Sequence, residues 1–226
     1  MLERLDDDLW VCPVPYRAMG LPMGRQLVAV RLPNGGLWIC SPIPLTPELR
    51  RELEELGGVR HVVGPNRYHD ECLREFQAEY PQALFHAAPG LAAQRRDLRF
   101  HAELSDLPHP DWAGVLDQHL ILGMPKLNEV VFHHRGSGSL IIADIAFNLG
   151  PDGPLWFALF MRINGGWGRF GPSRFCRSIV KNMAAVRASL DRILEWDFER
   201  IIVGHGHNVT ADAKRRFREA FADFSP

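Results

Sequence analysis

Short hydrophobic runs separated by turn sequences dominate the first part of the chain. Runs rich in valine, leucine and isoleucine predict strands, and the PNGG sequence between two of them predicts a hairpin turn at Asn34-Gly35. Thr46 has the character of a helix N-cap, with Pro47 at the first helical position and Gly57-Gly58 as the stop. The predicted strands are 9–14, 26–32, 36–41, 59–64 and 83–88, and the predicted helices are 47–56, 70–81 and 89–96.

The second part of the chain has strands both in groups and between helices. The pattern predicts strands at 118–123, 129–134, 139–145 and 200–208, and helices at 154–162, 178–197 and 211–224. Proline- and glycine-rich sequence predicts irregular connections at 97–116 and 150–178. Because strands both follow one another and alternate with helices, the pattern favours a mixed sheet, or two sheets covered by helices, over a purely parallel sheet.

Length and composition are those of a folded protein. The chain has 226 residues, of which 46% are hydrophobic and 23% are charged. At roughly 100–200 residues per domain this is one large domain or two small ones, and no linker divides the sequence, so we expect a single domain over 1–226. The net charge of −1 argues against a sequence-independent nucleic-acid binder and against attraction to an anionic membrane. The oligomeric state is left open.

Targeting signals and cysteine spacing favour a cytoplasmic location. No hydrophobic run approaches the ~20 residues that a membrane helix needs. The first residues, MLERLDDDLW, are acidic and lack the pattern of a signal peptide. The four cysteines are scattered, with no CxxC pair, so we expect reduced thiols that pack in the core, and no metal site built from thiolates.

Three predicted strands end in polar residues that can bind a metal ion. They lie in the sequences VRHVVGPNRYHDE, LIIADIAFN and RIIVGHGHN. Strand ends are where sheet proteins collect functional groups from distant parts of the chain. Imidazole and carboxylate ligands suit Zn, Fe or Mn. The sequence contains neither the GxSxG motif of a serine hydrolase nor a P-loop.

Each of the three candidate ligands also has a structural interpretation. His69 is either a ligand or a residue that precedes the next helix and hydrogen-bonds locally. Asp144 follows four hydrophobic residues, so its carboxylate must be metal-bound, paired or a helix N-cap. His205 is flanked by Gly204 and Gly206, which allow a sharp bend that points the ring into a cleft, whereas a plain turn would leave it at the surface.

The remaining histidines and the aromatic residues are weaker candidates. His207 is a reserve ligand, and at most one of His133 and His134 can join a site because they alternate along a strand. Trp167 and Phe170 lie in a glycine-rich stretch that forms either a pocket wall or ordinary packing. Five further histidines are expected to be solvated or at the edge of the core: His61, His86, His101, His109 and His119.

The order of these segments resembles the metallo-β-lactamase superfamily over residues 8 to 208, and most of all a branch of unknown function whose metal motif is degenerate. The sequence VRHVVGPNRYH occupies the place of the HxHxDH motif of that superfamily. LIIADIAFN is similar to its late strand that ends in a bridging Asp, and FERIIVGHG to its last strand that ends in a ligand His. The resemblance implies an α/β (α+β) fold, the αββα sandwich, with a metal cleft between the edges of the sheets.

This chain departs from the HxHxDH motif at most positions. Gly64, Asn66 and Tyr68 stand where the resemblance implies His, His and Asp, and only His69 is retained. The stretch GMPKLNE also lacks the next ligand His of the superfamily. The resemblance therefore implies three ligands, His69, Asp144 and His205, with Asn66 as a weak oxygen ligand and at most one metal ion.

The resemblance implies a hydrolase-like protein that binds one divalent metal, Zn or Fe. Water activated on that metal would hydrolyse an ester, a thioester, a lactone or a similar small substrate. Asn66 and Tyr68 occupy catalytic positions of the motif, and Tyr68 replaces the Asp that orients water in the superfamily. Two alternatives stay open: a non-catalytic ligand-binding or interaction module, which needs no metal, and an iron-dependent redox enzyme.

Overall fold

The computed structural model describes residues 1–18, 20–150 and 152–224. Its strands are β1 Glu3–Asp6, β2 Leu9–Val14, β3 Arg17–Ala18, β4 Leu21–Pro22, β5 Arg25–Arg31, β6 Leu37–Cys40, β7 Val59–Gly64, β8 Leu84–Ala87, β9 Ala102–Glu103, β10 Leu116–Leu120, β11 Val130–His134, β12 Ser139–Ile141 and β13 Arg200–Ile202. Its α-helices are α1 Pro47–Glu55, α2 Leu73–Glu79, α3 Leu91–Gln94, α4 Leu155–Ile163, α5 Arg174–Ser178, α6 Met183–Leu194 and α7 Ala213–Ala220, followed by a 3₁₀ turn at Ala222–Phe224.

The strands form two main sheets. The first has the order β1-β2-β5-β6-β7-β8-β9, and the second has the order β10-β11-β12-β13. Strands β6 to β9 pair in parallel, as do β12 and β13, whereas the other neighbours in both sheets are antiparallel. A small ribbon joins β3 and β4. The candidate ligands follow the carboxyl ends of three strands, β7, β12 and β13.

A hydrophobic core fills the space between the two sheets. Trp38 of the first sheet is fully buried, and its ring meets that of Phe132 of the second sheet edge-on at 4.8 Å between centroids. Valines and leucines of β2, β5 and β7 face Leu116, Val130 and Ile202 across this core. Alternate side chains of each strand therefore reach the inner layer, as the period of two requires.

Helices cover the outer faces of both sheets. Leu49 and Leu53 of α1 and Phe76 of α2 pack on the first sheet. Hydrophobic residues of α6 and α7 pack on the second sheet, among them Leu190 and Phe217. The four layers confirm the predicted αββα sandwich.

Local sequence signals account for most element boundaries. The Thr46 hydroxyl accepts a hydrogen bond from the Leu49 backbone N–H, as an N-cap does, and β7 has the predicted bounds. The helix predicted at 178–197 is shorter, because the Asn182 side chain caps α6 by accepting from Ala185 N–H. The backbone N–H groups of 181 and 182 donate instead to Gly123, so the predicted first turn is not helical.

Backbone hydrogen bonds join the two sheets at the edge where the candidate ligands lie. Val130 N–H donates to Pro65 C=O at 2.8 Å, and Gln26 N–H donates to Gly204 C=O at 3.2 Å. The Gln26 amide also donates to Asn208 Oδ1 at 2.6 Å. These contacts tie the segment after β7 to β11 of the second sheet, and the segment after β13 to β5 of the first sheet.

Long apolar helices of the kind that cross a bilayer are absent from the described ranges 1–18, 20–150 and 152–224.

Two histidines that the sequence placed at the core edge are inside the protein. His61 of β7 and His86 of β8 are both buried. Burial lowers the pKa of His61 to about 4, although Asp111 acts in the opposite direction. Burial, together with the neighbouring His61 and His109, lowers the pKa of His86 to about 3. Both rings are therefore neutral near pH 7.

We expect acid to destabilise the metal-free protein through these two rings. Their folded pKa values lie below the unfolded value of about 6.5, so the unfolded state binds more protons as the pH falls from about 6.5 toward 4. Each ring should lower the free energy of unfolding by about 2 kcal/mol between pH 7 and pH 5. Urea unfolding with a chelator present measures this loss.

His86→Gln should flatten that pH dependence, whereas His207→Gln should not. His207 is exposed, so its removal serves as the control. If the free energy of unfolding falls with pH in His86→Gln as steeply as in the wild type, buried His86 does not contribute to the loss in acid.

Candidate metal centre

Three segments bring His69, Asp144 and His205 together. His69 lies in the loop after β7, Asp144 in the turn after β12, and His205 in the turn after β13. One ligand atom from each lies within 4.8 Å of the other two. His69 Nε2 is 3.3 Å from Asp144 Oδ2, and His205 Nε2 is 3.2 Å from Asp144 Oδ1. The carboxylate of Asp144 thus lies between the two imidazoles.

The glycines beside His205 are required by close backbone approach. A Cβ on Gly204 would lie 2.7 Å from the Ala143 carbonyl oxygen, and one on Gly206 would lie 2.3 Å from the Asn148 carbonyl oxygen. Gly206 also has φ +92°, a conformation that favours glycine. Only glycines therefore let the His205 turn pack this closely against the Asp144 turn.

Hydrogen bonds on the far side of each ring orient the imidazoles. His205 Nδ1 donates to the Gly24 carbonyl, which can only accept. In the neutral ring Nε2 therefore carries the lone pair that faces Asp144. His69 Nδ1 pairs with the Ser41 hydroxyl at 2.8 Å. Hydrogen bonds to the ring nitrogen that faces away from the metal fix the orientation of metal-binding histidines.

His69 Nε2 is a buried nitrogen without a hydrogen bond. It is within ion-pair distance of Asp144, but the geometry is not that of a hydrogen bond, and no other described group of the chain supplies one. Burial lowers the pKa of His69 to about 4, so its ring is neutral. Burial alone would raise the pKa of Asp144, but the two imidazoles hold it well below its usual range. The Asp144 carboxylate thus lies between the neutral ring of His69 and the ring of His205.

Glu129, which the sequence did not single out, holds the Asp144 turn in place. It is fully buried and accepts backbone hydrogen bonds from Ala143 at 2.8 Å, Asp144 at 2.6 Å and Ile145 at 3.1 Å. These bonds replace the ladder of β12, which explains why that strand ends at Ile141 rather than at 145. Burial and the nearby Asp144 raise the pKa of Glu129 to about 7. The sequence offered one hint of this role, the position of Glu129 at the start of a hydrophobic strand.

Asn66 positions Asp144, and its oxygen is turned away from the cluster. Its amide nitrogen donates to Asp144 Oδ2 at 2.7 Å and to Glu129 Oε2 at 3.0 Å. Its oxygen accepts from the backbone N–H groups of Tyr68 and His69. In this arrangement the Asn66 oxygen is occupied by backbone donors, and its amide nitrogen faces the two carboxylates. The Tyr68 side chain is 46% exposed.

A buried arginine, Arg25, lies near the cluster and was not predicted. Its Nη1 is 3.5 Å from Glu71 Oε2, and its guanidinium lies 5.2 Å from the centroid of Tyr16, whose ring stacks on His205. Its Nε and Nη2 atoms are buried and make no hydrogen bond with the described residues. Burial lowers the pKa of Arg25, and Asp144 opposes that effect. This charge partly balances the buried carboxylates.

Phe170 and Trp167, expected as pocket walls or as packing residues, each pack against other hydrophobic side chains. Phe170 is buried in the core between the second sheet and helices α6 and α7, whereas Trp167 packs edge-on against Phe157 at 5.6 Å. A cavity of about 510 Å³ lies between β10 and α6, and among the described residues that line it none belongs to the cluster.

The reserve histidines also point away from the cluster. His133 pairs with Asp117 at 3.3 Å, His134 with the Ser137 hydroxyl at 2.8 Å, and His207 with Asp152 at 3.0 Å.

The family of the chain follows from its sequence. Residues 19–159 match the family model described as "Domain of unknown function (DUF4336)". The chain belongs to this family. A search of curated proteins found no match.

Solved structures of metallo-β-lactamases share the fold of this DUF4336 protein. A metallo-β-lactamase from Pontibacter korlensis aligns over 99% of both chains, with 11% identity and a TM-score of 0.67. The DIM-1 metallo-β-lactamase aligns over 100% of this chain and 97% of its own, with 14% identity and a TM-score of 0.66. A putative diflavin flavoprotein from Nostoc sp. PCC 7120 aligns over 100% and 94%, with 14% identity and a TM-score of 0.67. The fold is that of the metallo-β-lactamases, and His69, Asp144 and His205 form a candidate metal-binding group within it.

We expect Glu129→Gln to destabilise the protein by about 2–4 kcal/mol. The new amide NH₂ would face backbone N–H groups and the Asn66 amide, which are all donors, so buried hydrogen bonds are lost without replacement. Urea unfolding measures the loss. Glu199→Gln, at an exposed position, is the matched control and should change stability by less than about 0.5 kcal/mol.

Proposed function

We propose that this protein binds one divalent metal ion through His69, Asp144 and His205, and that it is a metal-dependent hydrolase. Its substrate would be a small carbonyl compound such as an ester, a thioester or a lactone. One observation carries the proposal: His69 Nε2 is buried without a hydrogen bond, beside a carboxylate that also meets His205 Nε2. A metal ion is the partner that such a nitrogen lacks.

The donor atoms fit a divalent ion. Ligands about 2.0–2.2 Å from a tetrahedral metal lie about 3.3–3.6 Å from one another. The two nitrogen–oxygen distances here, one to each carboxylate oxygen of Asp144, are 3.3 and 3.2 Å. Two imidazoles and one carboxylate suit Zn²⁺ and also Fe²⁺.

The charge of the cluster also favours a bound cation. Asp144 and Glu129 are two carboxylates that share one donor, the Asn66 amide. Buried like charges repel strongly in a low dielectric. Arg25 offsets only part of this charge, and its Nη1 contacts Glu71 instead. A divalent ion would neutralise the remainder.

The residues around the proposed metal site would have different roles. A bound divalent ion supplies Lewis-acid activation of water or of a carbonyl group. His69 and His205 hold their rings by bonds to Ser41 and Gly24. Asn66 fixes Asp144 and so acts as a positioning residue rather than a ligand. Tyr68 is the proposed substrate contact, because it precedes His69 and is exposed.

Burial of the cluster favours a second candidate, a non-catalytic binding module. His69 and His205 are only 2% and 4% exposed. In addition, Tyr68 stands where the superfamily motif has the Asp that orients water. An iron-dependent redox enzyme is the third candidate, because the same ligands suit Fe²⁺. Metal content separates the hydrolase and the redox enzyme from the binding module. Metal identity and dependence on dioxygen then separate the hydrolase from the redox enzyme.

We expect His205→Ala to lower metal affinity at least tenfold and to abolish hydrolysis of chromogenic esters and thioesters. Removing one of three ligands leaves an incomplete coordination shell. The turn position limits the stability loss to about 1 kcal/mol. Asp144→Asn should lose the metal similarly. Elemental analysis, calorimetric metal titration and urea unfolding measure these effects.

The matched control is His207→Ala, two residues away. His207 is exposed and pairs with Asp152, so its removal should change neither metal content nor activity. If His205→Ala keeps its metal affinity and melts like the wild type, the proposal fails and the binding-module candidate moves ahead.

A further inference from the structure

A second group of histidines, two of them buried and one partly exposed, takes no part in the centre described above. The rings of His61, His86 and His109 lie 5.2–5.4 Å from one another. Each also contacts the indole of buried Trp112, at 4.8–5.1 Å between ring centroids. His61 and His86 come from the sheet, whereas His109 and Trp112 come from the irregular connection before β10. The sequence had placed all three histidines outside any site.

Asp111 completes this group. His61 Nε2 is 3.0 Å from Asp111 Oδ2, and His61 Nδ1 is 3.1 Å from His86 Nε2. One ligand atom each from His61, His109 and Asp111 lies within 4.8 Å of the other two. The arrangement has the same composition as the first cluster, with two imidazoles and one carboxylate.

We propose that His61, His109 and Asp111 form a second divalent-metal site, with His86 as the residue that orients His61. The site would take Zn²⁺ or another borderline transition ion, since nitrogen and carboxylate donors suit these ions. It goes beyond the proposed hydrolase, with which it shares no residue. It also adds one ion to the single ion expected from the resemblance.

The hydrogen bonds of the group can change to admit an ion without net release of a proton. In the metal-free protein His61 Nε2–H donates to the Asp111 carboxylate, so His61 Nδ1 accepts from His86 Nε2–H. With an ion on His61 Nε2, the His61 proton moves to Nδ1 and donates to His86 Nε2, and the His86 proton moves to its Nδ1. His86 then orients His61 by a hydrogen bond to the ring nitrogen that does not bind the ion.

An ion can reach the site from the surface. The side chains of His109 and Asp111 are 31% and 33% exposed, whereas His61 is fully buried at the base. His109 Nδ1 at present accepts from the Asp111 backbone N–H at 3.2 Å. An ion on that nitrogen would replace this bond, so we expect binding to draw the His109 ring toward His61.

The consequence of this site is structural. Side-chain bonds of Gln118 tie the connection to β10: its amide donates to Ser105 C=O at 2.6 Å and to Leu107 C=O at 3.1 Å. Trp112 donates to Gln118 Oε1 at 2.9 Å. A metal held by His109 and Asp111 on one side and by His61 on the other would fasten the connection to the first sheet as well.

The test uses the full chain after metal depletion, titrated with Zn²⁺ by calorimetry and with Cu²⁺ by fluorescence. Asp111→Asn is the informative variant, because the amide oxygen still accepts from His61 while the charged ligand is lost. We expect Asp111→Asn and His205→Ala to lose one equivalent each, and the double variant to lose two. Asp106→Asn, in the same connection, is the control and should bind like the wild type, because its partner is His119.

Two further readouts separate a metal site from mere packing. Cu²⁺ should quench Trp112, and Trp112→Phe should remove that part of the quenching. Zn²⁺ should raise the melting temperature of His205→Ala but not of His205→Ala/Asp111→Asn. Equal stoichiometry and equal quenching in wild type and Asp111→Asn would overturn the second site.

The two proposals fail in different ways. If the wild type binds one equivalent of Zn²⁺ and only His205→Ala loses it, the proposed hydrolase centre stands and the second site is wrong. If the wild type binds one equivalent of Zn²⁺ and only Asp111→Asn loses it, the hydrolase centre is wrong and the second site stands.

Discussion

The buried carboxylate of Glu129 is the contact on which the candidate centre depends. It accepts three consecutive backbone N–H groups after β12 and one amide hydrogen of Asn66. A fully buried carboxylate is tolerated only where donors surround it, and here they do. The same bonds end the strand, fold residues 143–145 into a turn and direct Asp144 toward the two histidines. The geometry of the centre therefore follows from a residue that is not itself a candidate ligand.

Close approach of two turns is the second constraint. Gly204 and Gly206 let the segment after β13 lie against the backbone of Ala143 and Asn148, at distances that a Cβ would not allow. The Gly24 carbonyl then orients His205 from the first sheet. Each ligand is held by a backbone or side-chain group on the far side from the cluster. Such preorganisation keeps donor atoms in place without a bound ion.

The two histidine clusters show the same physical arrangement in different settings. In each, a carboxylate meets two imidazoles in a largely buried space, where an unpaired charge is costly. The first cluster joins the two sheets at their edge and includes a buried nitrogen without a hydrogen bond. The second joins the first sheet to a long connection and is satisfied by hydrogen bonds. That difference is why we propose chemistry at the first cluster and a structural role for the second.

The sequence by itself determined the longer strands such as β2, β5 and β7, the capped helix α1 and the strand ends that deliver His69, Asp144 and His205, since periodicity, capping and turn chemistry act between near neighbours. The short strands β1, β3, β4 and β9 had no such signal. The resemblance of ordered segments supplied the sandwich fold. Only the tertiary structure decided the roles of Glu129 and Arg25, the direction of the Asn66 amide, and the grouping of His61 and His86 with the later connection. These features depend on contacts between residues far apart in the chain, such as Asn66 with Asp144. A local sequence pattern cannot predict which distant residues the packed sheets bring together.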